Sequence, residues 1–193
     1  ETMSGWRPIA LSSCVYKTFA AIVERRLRSW ANRMGLLSPE QKGFTEADGC
    51  AEHNFLLRAI IEGRRRERQD LGVAWLDIHQ AFDRLPHELV VGALERAGLQ
   101  TQSLAIVEAV LRRNTISVQT ASARTPPLPL LRGVRQGDPL SPFLFLVAMD
   151  LLVRAPHSTT FGLPTAASGT RPPALPYPHA LVLIRPTRPA PHP

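Results

Sequence analysis

All 16 acidic residues of this 193-residue chain lie at or before Asp150, whereas 10 of its 18 prolines fall after residue 154. Proline removes a backbone donor and fixes φ, so a proline-dense segment supports neither helices nor interior strands. The chain must therefore build its core from residues 1–154, and 155–193 is expected to be poorly ordered. Within that tail only Ala180-Leu181-Val182-Leu183-Ile184 is apolar and long enough for a short strand. The length allows one sizeable core or two small subdomains sharing one. Hydrophobic residues at 44 % and charged residues at 20 % are ordinary globular values, which excludes wholesale disorder. No apolar run approaches the ~18 to 20 residues that span a bilayer, which excludes a membrane-spanning protein. The first residue is Glu1 and no secretory leader is visible, so an internal, intracellular piece of a longer polypeptide is expected. Cys14 and Cys50 are too few for a disulfide framework or a four-ligand zinc site, and two reduced, partly buried thiols are expected.

Of the 23 basic residues only Lys17 and Lys42 are lysines, and the net charge is +7. A guanidinium pairs two donors with phosphate oxygens and stacks on bases, so an arginine-dominated excess points toward nucleic acid. A coding bias toward arginine is the alternative. The run Arg64-Arg65-Arg66-Glu67-Arg68 fits either a template-backbone contact or a solvated helix end.

Helical periodicity is clear before the proline break. Val15, Phe19, Ile22, Val23, Leu27, Trp30 and Met34 form one stripe, with Ser12 or Ser13 as N-cap and Gly35 as the stop. The spacing predicts a core helix there, further helices over 51–66, 87–97 and 102–113, and a fifth from Ser141-Pro142 through Leu152. An apolar run at 73–78 has strand length, and 115–120 and 128–134 are weaker strands. The fold class is α+β.

Asp77 ends a strand that is apolar on both faces, a pattern of central, covered strands. An ionised carboxylate in such a place needs a cation, either an arginine or a divalent metal with its preference for hard oxygen. Asp83 reads as a solvated turn or helix-cap residue. The segment Arg132-Gly133-Val134-Arg135-Gln136-Gly137-Asp138-Pro139-Leu140-Ser141-Pro142 fixes an irregular backbone just before a helix. Its glycines permit close approach to a ligand, and its arginines and the helix N-terminus attract negative charge. A rigid strand-to-helix turn with solvated arginines is the plainer alternative.

Together these segments resemble the reverse transcriptases of non-LTR (LINE-type) retrotransposons, in flavour the site-specific ones. Gly5-Trp6-Arg7-Pro8-Ile9-Ala10-Leu11-Ser12-Ser13 with Tyr16-Lys17 is similar to the opening fingers motif. Glu40-Gln41-Lys42-Gly43-Phe44 and Ala47-Asp48-Gly49-Cys50-Ala51-Glu52-His53 resemble the next. The stretch from Trp75-Leu76-Asp77-Ile78 through Phe82-Asp83 to Leu85-Pro86-His87 resembles palm motif A, and Arg132 to Pro142 resembles motif B. The resemblance implies a right-hand polymerase fold: fingers over 1–70, a palm over 71–154 with an antiparallel sheet packed on helices, and no thumb. It implies RNA template, DNA primer or target and dNTPs as partners, Mg²⁺ as cofactor, and action in the nucleus. It implies that Asp77 and the Ile78 carbonyl hold metal, that Phe82 is the steric gate under the nucleotide sugar, and that Gln136 and Gly137 lie along nucleotide and template. Arg7 falls where basic residues handle template or triphosphate.

Two-metal phosphoryl transfer needs several hard oxygen ligands, and the family takes two of them from an aromatic-x-Asp-Asp turn, motif C. No Asp-Asp pair occurs in the chain. Ala174-Leu175-Pro176-Tyr177-Pro178-His179 with the following apolar run resembles motif C, with Tyr177 kept and the aspartate positions reading His179 and Ala180. A shift of reading frame after Arg154 is the other explanation of the tail. Either way the expectation is a reverse transcriptase domain piece with impaired metal binding and no robust activity, or a non-catalytic nucleic-acid-binding relic or co-opted module.

Overall fold

A computed structural model describes residues 9–44, 48–155, 174–176 and 180–186. In chain order these form α1 (Cys14–Met34), α2 (Gly49–Arg66), β1 (Leu71–Asp77), α3 (Ala81–Arg84), α4 (His87–Arg96), α5 (Thr101–Arg112), β2 (Thr115–Ile116), β3 (Leu128–Pro129), α6 (Ser141–Arg154), β4 (Ala174–Pro176) and β5 (Ala180–Pro186). The α+β class expected from the sequence holds. No helix among the described residues is long and apolar enough to cross a membrane. Two compact units divide the chain, Glu1–Leu36 with Gln80–Ala148 and Leu37–His79 with Met149–Pro193. They interleave along the sequence.

In the first unit, Ser13 caps α1 by accepting from the Tyr16 N–H at 3.2 Å, and Gly35 closes it in the left-handed conformation at φ 57°. Both signals were readable in the sequence. The buried face of α1, however, is Ala20, Leu27 and Ala31, while Val15, Phe19, Ile22 and Met34 of the expected core stripe are exposed. Small residues allow close packing along the helix, and the larger side chains are left outside. The interior belongs to α6, where Phe143, Leu144, Phe145 and Leu146 are essentially inaccessible, together with Val90 and Leu94 of α4 and Val107 of α5. A helix apolar on every side is stable only when surrounded, and each such side chain contributes about 1.5–3 kcal/mol on burial. The weaker strands at 115–120 and 128–134 shrink to the two-residue pairing of β2 with β3, extended by a bridge between Gln119 and Arg124. Pro126, Pro127 and Pro129 cannot donate to a longer ladder.

The second unit is a three-stranded antiparallel sheet in the order β1-β5-β4. Side chains of β5 alternate between two apolar layers. Val182 and Ile184 join Leu175 against Leu57 and Ile60 of α2, whereas Leu181 and Leu183 meet Ala174 and Val153. The strand covered on both faces is therefore β5, drawn from the proline-rich tail, and β1 lies at an edge. The expectation of a poorly ordered 155–193 does not extend to the ten residues of β4 and β5, because β5 pairs in register along β1 and β4 along β5, which offsets the prolines at strand ends. Asp150, buried, accepts from the Ser38 N–H at 2.6 Å and pairs with Arg154 Nε at 2.5 Å. Cys14 and Cys50 are both exposed, not partly buried, since each opens a helix on its outer side.

Candidate active site

Asp77 is the last residue of β1, and the register of the sheet sets it directly across from Ala180 of β5. From Ala74 to Asp77 the strand is exposed. The expectation of a covered central strand is thus corrected: an edge position leaves the carboxylate hydrated, and it needs no buried cation to exist there. Ile78 follows at once and is half-buried. Cross-strand neighbours in an antiparallel pair stand about 4.5–5.5 Å apart, so an acidic residue at 180 would face Asp77 at metal-bridging range. Alanine supplies no ligand. Among the described residues no group of three or more His, Cys, Asp or Glu side chains could hold a metal ion. The residues described here do not fit a two-ion centre. Tyr177 and His179, the other positions of the motif C alignment, and Arg7 lie outside the described residues.

The first unit assembles the second group of expected site residues. The loop at 132–138 runs alongside the second half of the motif A stretch: Gly133 N–H donates to the Leu85 carbonyl at 2.7 Å and Val134 N–H to the Phe82 carbonyl at 2.8 Å. His87, buried, lies with Nε2 2.9 Å from the Gly133 carbonyl oxygen. Gly133 has φ +83°, and a Cβ there would fall 2.6 Å from the Asp83 carbonyl oxygen. Its close approach is to the protein's own backbone, a role the sequence assigned to a ligand. Gly137, at φ +93°, is open, the nearest atom to an added Cβ being the Ala10 carbonyl oxygen at 3.6 Å. Gln136 Nε2 reaches both carboxylate oxygens of Asp83 at 3.4 Å, so Asp83 is half-buried and engaged, not a solvated cap. Phe82 stacks on Phe145, with ring centroids 4.7 Å apart and planes 14° from parallel. A core contact and a ligand-facing edge are compatible for a ring that is half-buried.

Two further residues hold this loop. Asp138, buried, accepts from the Leu140 N–H at 2.9 Å and bonds the Tyr16 side chain. Burial, then the Asp138 hydrogen bond and charge, push the Tyr16 phenol up to about 12. The Arg135 guanidinium lies 5.1 Å from the centre of the Tyr16 ring and donates from Nη2 to the Thr115 carbonyl at 3.2 Å. Arg132 is exposed. The bracing by Tyr16, His87 and Gly133 was not assigned from sequence; the signal present was only that all three sit inside or beside the resembling motifs.

Comparison with known proteins bears on the whole chain. Residues 1–164 match the family model of reverse transcriptase (RNA-dependent DNA polymerase). The retrovirus-related Pol polyprotein from type-1 retrotransposable element R2 of Popillia japonica is 34 % identical over 160 residues, 82 % of this chain and 22 % of that protein. Its namesake from Nasonia vitripennis is 34 % identical over 184 residues, 95 % of this chain and 17 % of that protein. The type-2 R2DM polyprotein of Drosophila melanogaster is 31 % identical over 149 residues, 77 % of this chain and 14 % of that protein. The chain spans about a fifth or less of the length of these relatives.

Proposed function

Because this chain belongs to the reverse transcriptase family, as a reverse transcriptase domain of a non-LTR retrotransposon, we propose that it keeps the fingers-and-palm fold and its nucleic-acid contacts but lacks the paired carboxylates of two-metal nucleotidyl transfer. The pairing of Asp77 with Ala180 carries this reading. It favours a decayed motif C over a shifted frame, because Ala180–Pro186 pairs along the whole motif A strand and Ala174–Pro176 pairs with Ala180–Pro186 in turn. In this reading Asp77 is the surviving ligand of a centre that once took Mg²⁺, Phe82 faces the sugar of an incoming nucleotide, and Gln136 and Gly137 lie along nucleotide and template. Arginine supplies 21 of the 23 basic residues, which supports binding to RNA template and DNA primer through phosphate. The site of action is the nucleus.

Primer extension on an RNA template, with Mg²⁺ or Mn²⁺, tests the proposal. The chain is expected to give no more product than its Asp77→Ala variant, while binding an RNA–DNA hybrid with an affinity that falls steeply with salt. Installing His179→Asp with Ala180→Asp is expected to raise extension above that baseline. Extension by the unaltered chain that disappears in Asp77→Ala would overturn the proposal.

A further inference from the structure

The first unit carries an apolar face that its own packing does not cover. On α1, Val15, Phe19 and Ile22 are 82 %, 44 % and 49 % exposed, and helical spacing aligns them with the exposed Arg26. On α5, Ile106 is 43 % exposed and aligns with the half-buried Val110 and with Arg113. Each helix thus presents an apolar row that ends in a guanidinium. Between the rows lies a groove of about 420 Å³, walled by Phe19, Ile106 and Val110, with Arg113 and Arg135 among its lining residues and no carboxylate. Asn114, also in its lining and buried, has an Oδ1 with no hydrogen-bond partner.

We propose that this groove docks an acidic amphipathic helix of a partner protein. Apolar side chains spaced a turn apart fit the groove and the row on α1. Carboxylates flanking them pair with Arg26 and Arg113, neither of which has an ion-pair partner among the described residues. A nucleic acid fits less well, since its phosphates would run along Val15, Phe19 and Ile22. A second copy of this chain is disfavoured by its net charge of +7. The inference rests on the first unit alone and is independent of whether the chain polymerises.

The test is fluorescence anisotropy with the whole chain and three probes. These are a labelled peptide of about four helical turns with leucines along one face and glutamates elsewhere, its lysine-for-glutamate counterpart, and decauridylate. Saturable binding of the glutamate peptide is expected, weakened about tenfold or more by Arg26→Glu with Arg113→Glu. Phe19→Asp is expected to abolish it at an unchanged unfolding midpoint. The proposal fails if the glutamate peptide does not saturate, if the lysine peptide binds as tightly, or if decauridylate displaces the peptide and loses affinity with the same arginine substitutions.

Discussion

Replacing Gly133 by alanine tests whether the motif B loop is anchored to residues 82–85 of the motif A stretch. The residue has φ +83°, where a side chain costs roughly 1–2 kcal/mol. The added methyl would lie 2.6 Å from the Asp83 carbonyl oxygen and 2.8 Å from its carbon, both backbone atoms that cannot swing aside. The loop must then lift away, and three contacts go with it: Gly133 N–H to Leu85, Val134 N–H to Phe82, and His87 Nε2 to the Gly133 carbonyl. At about 1 kcal/mol for each lost hydrogen bond, the sum is about 4 to 5 kcal/mol. Gly137→Ala is the internal control. It shares the positive φ, at +93°, but meets only the Ala10 carbonyl oxygen at an ordinary 3.6 Å, so it should cost only the conformational part, roughly 1–2 kcal/mol. Denaturant unfolding followed by circular dichroism reads both, provided the slope m is unchanged. Gly133→Ala is expected to be the less stable variant by about 3 kcal/mol. Equal midpoints for the two would refute the claim that the loop is held by close backbone packing.

Two further outcomes follow from titrating groups. Burial holds the His53 imidazole below its ordinary value, with the Lys42 charge acting in the same direction and Glu52 opposing it. The unfolded chain therefore takes up its proton first as pH falls; stability is complete above about 6.5 and declines below it, by at most about 1.4 kcal/mol per pH unit, until the folded imidazole also protonates. His53→Phe should flatten that part of a stability-against-pH profile, and an unaltered slope would count against burial as the cause. The chain has two tyrosines, and Tyr16 is raised to about 12. Ultraviolet titration of tyrosinate should show one late phase that Tyr16→Phe removes, whereas a single step near 10 in the parent protein would contradict the Asp138 hydrogen bond in a buried setting.

How much of this was legible in the sequence differs by kind of signal. Caps and stops were read correctly at Ser13 and Gly35, because they depend on local stereochemistry alone. Which side of α1 is buried was not, because periodicity identifies an apolar stripe without saying whether another element reaches it. The two-sided apolar run at 73–78 has the pattern of a central strand, yet the strand covered on both faces is Ala180–Pro186. Composition hid that strand, since the prolines around it suggested disorder while the five apolar residues inside it obeyed the same rule applied to β1. The motif B loop was recognised as special, but its glycines were credited to a ligand. At Gly133 the neighbour is the backbone of Asp83, fifty residues earlier, a contact that no local pattern can disclose.

Under the proposed reading, the sheet explains why the Asp77 strand tolerates alanine opposite its last residue. The pairing of β1 with β5 is made by backbone groups and by Leu181, Val182 and Ile184 in the two apolar layers, none of which depends on what residue 180 is. Alanine at 180 keeps the ladder, and it removes a carboxylate whose repulsion with Asp77 would otherwise need a cation to offset it. Alanine in place of an acidic residue at 180 is therefore neutral or favourable for folding. The converse follows: restoring Ala180→Asp without metal places two anions opposite each other at the end of β1 and should lower stability, and divalent ions should recover part of the loss. With alanine at 180, Asp77 stands as a hydrated residue at the end of an edge strand and carries no electrostatic cost across the pair.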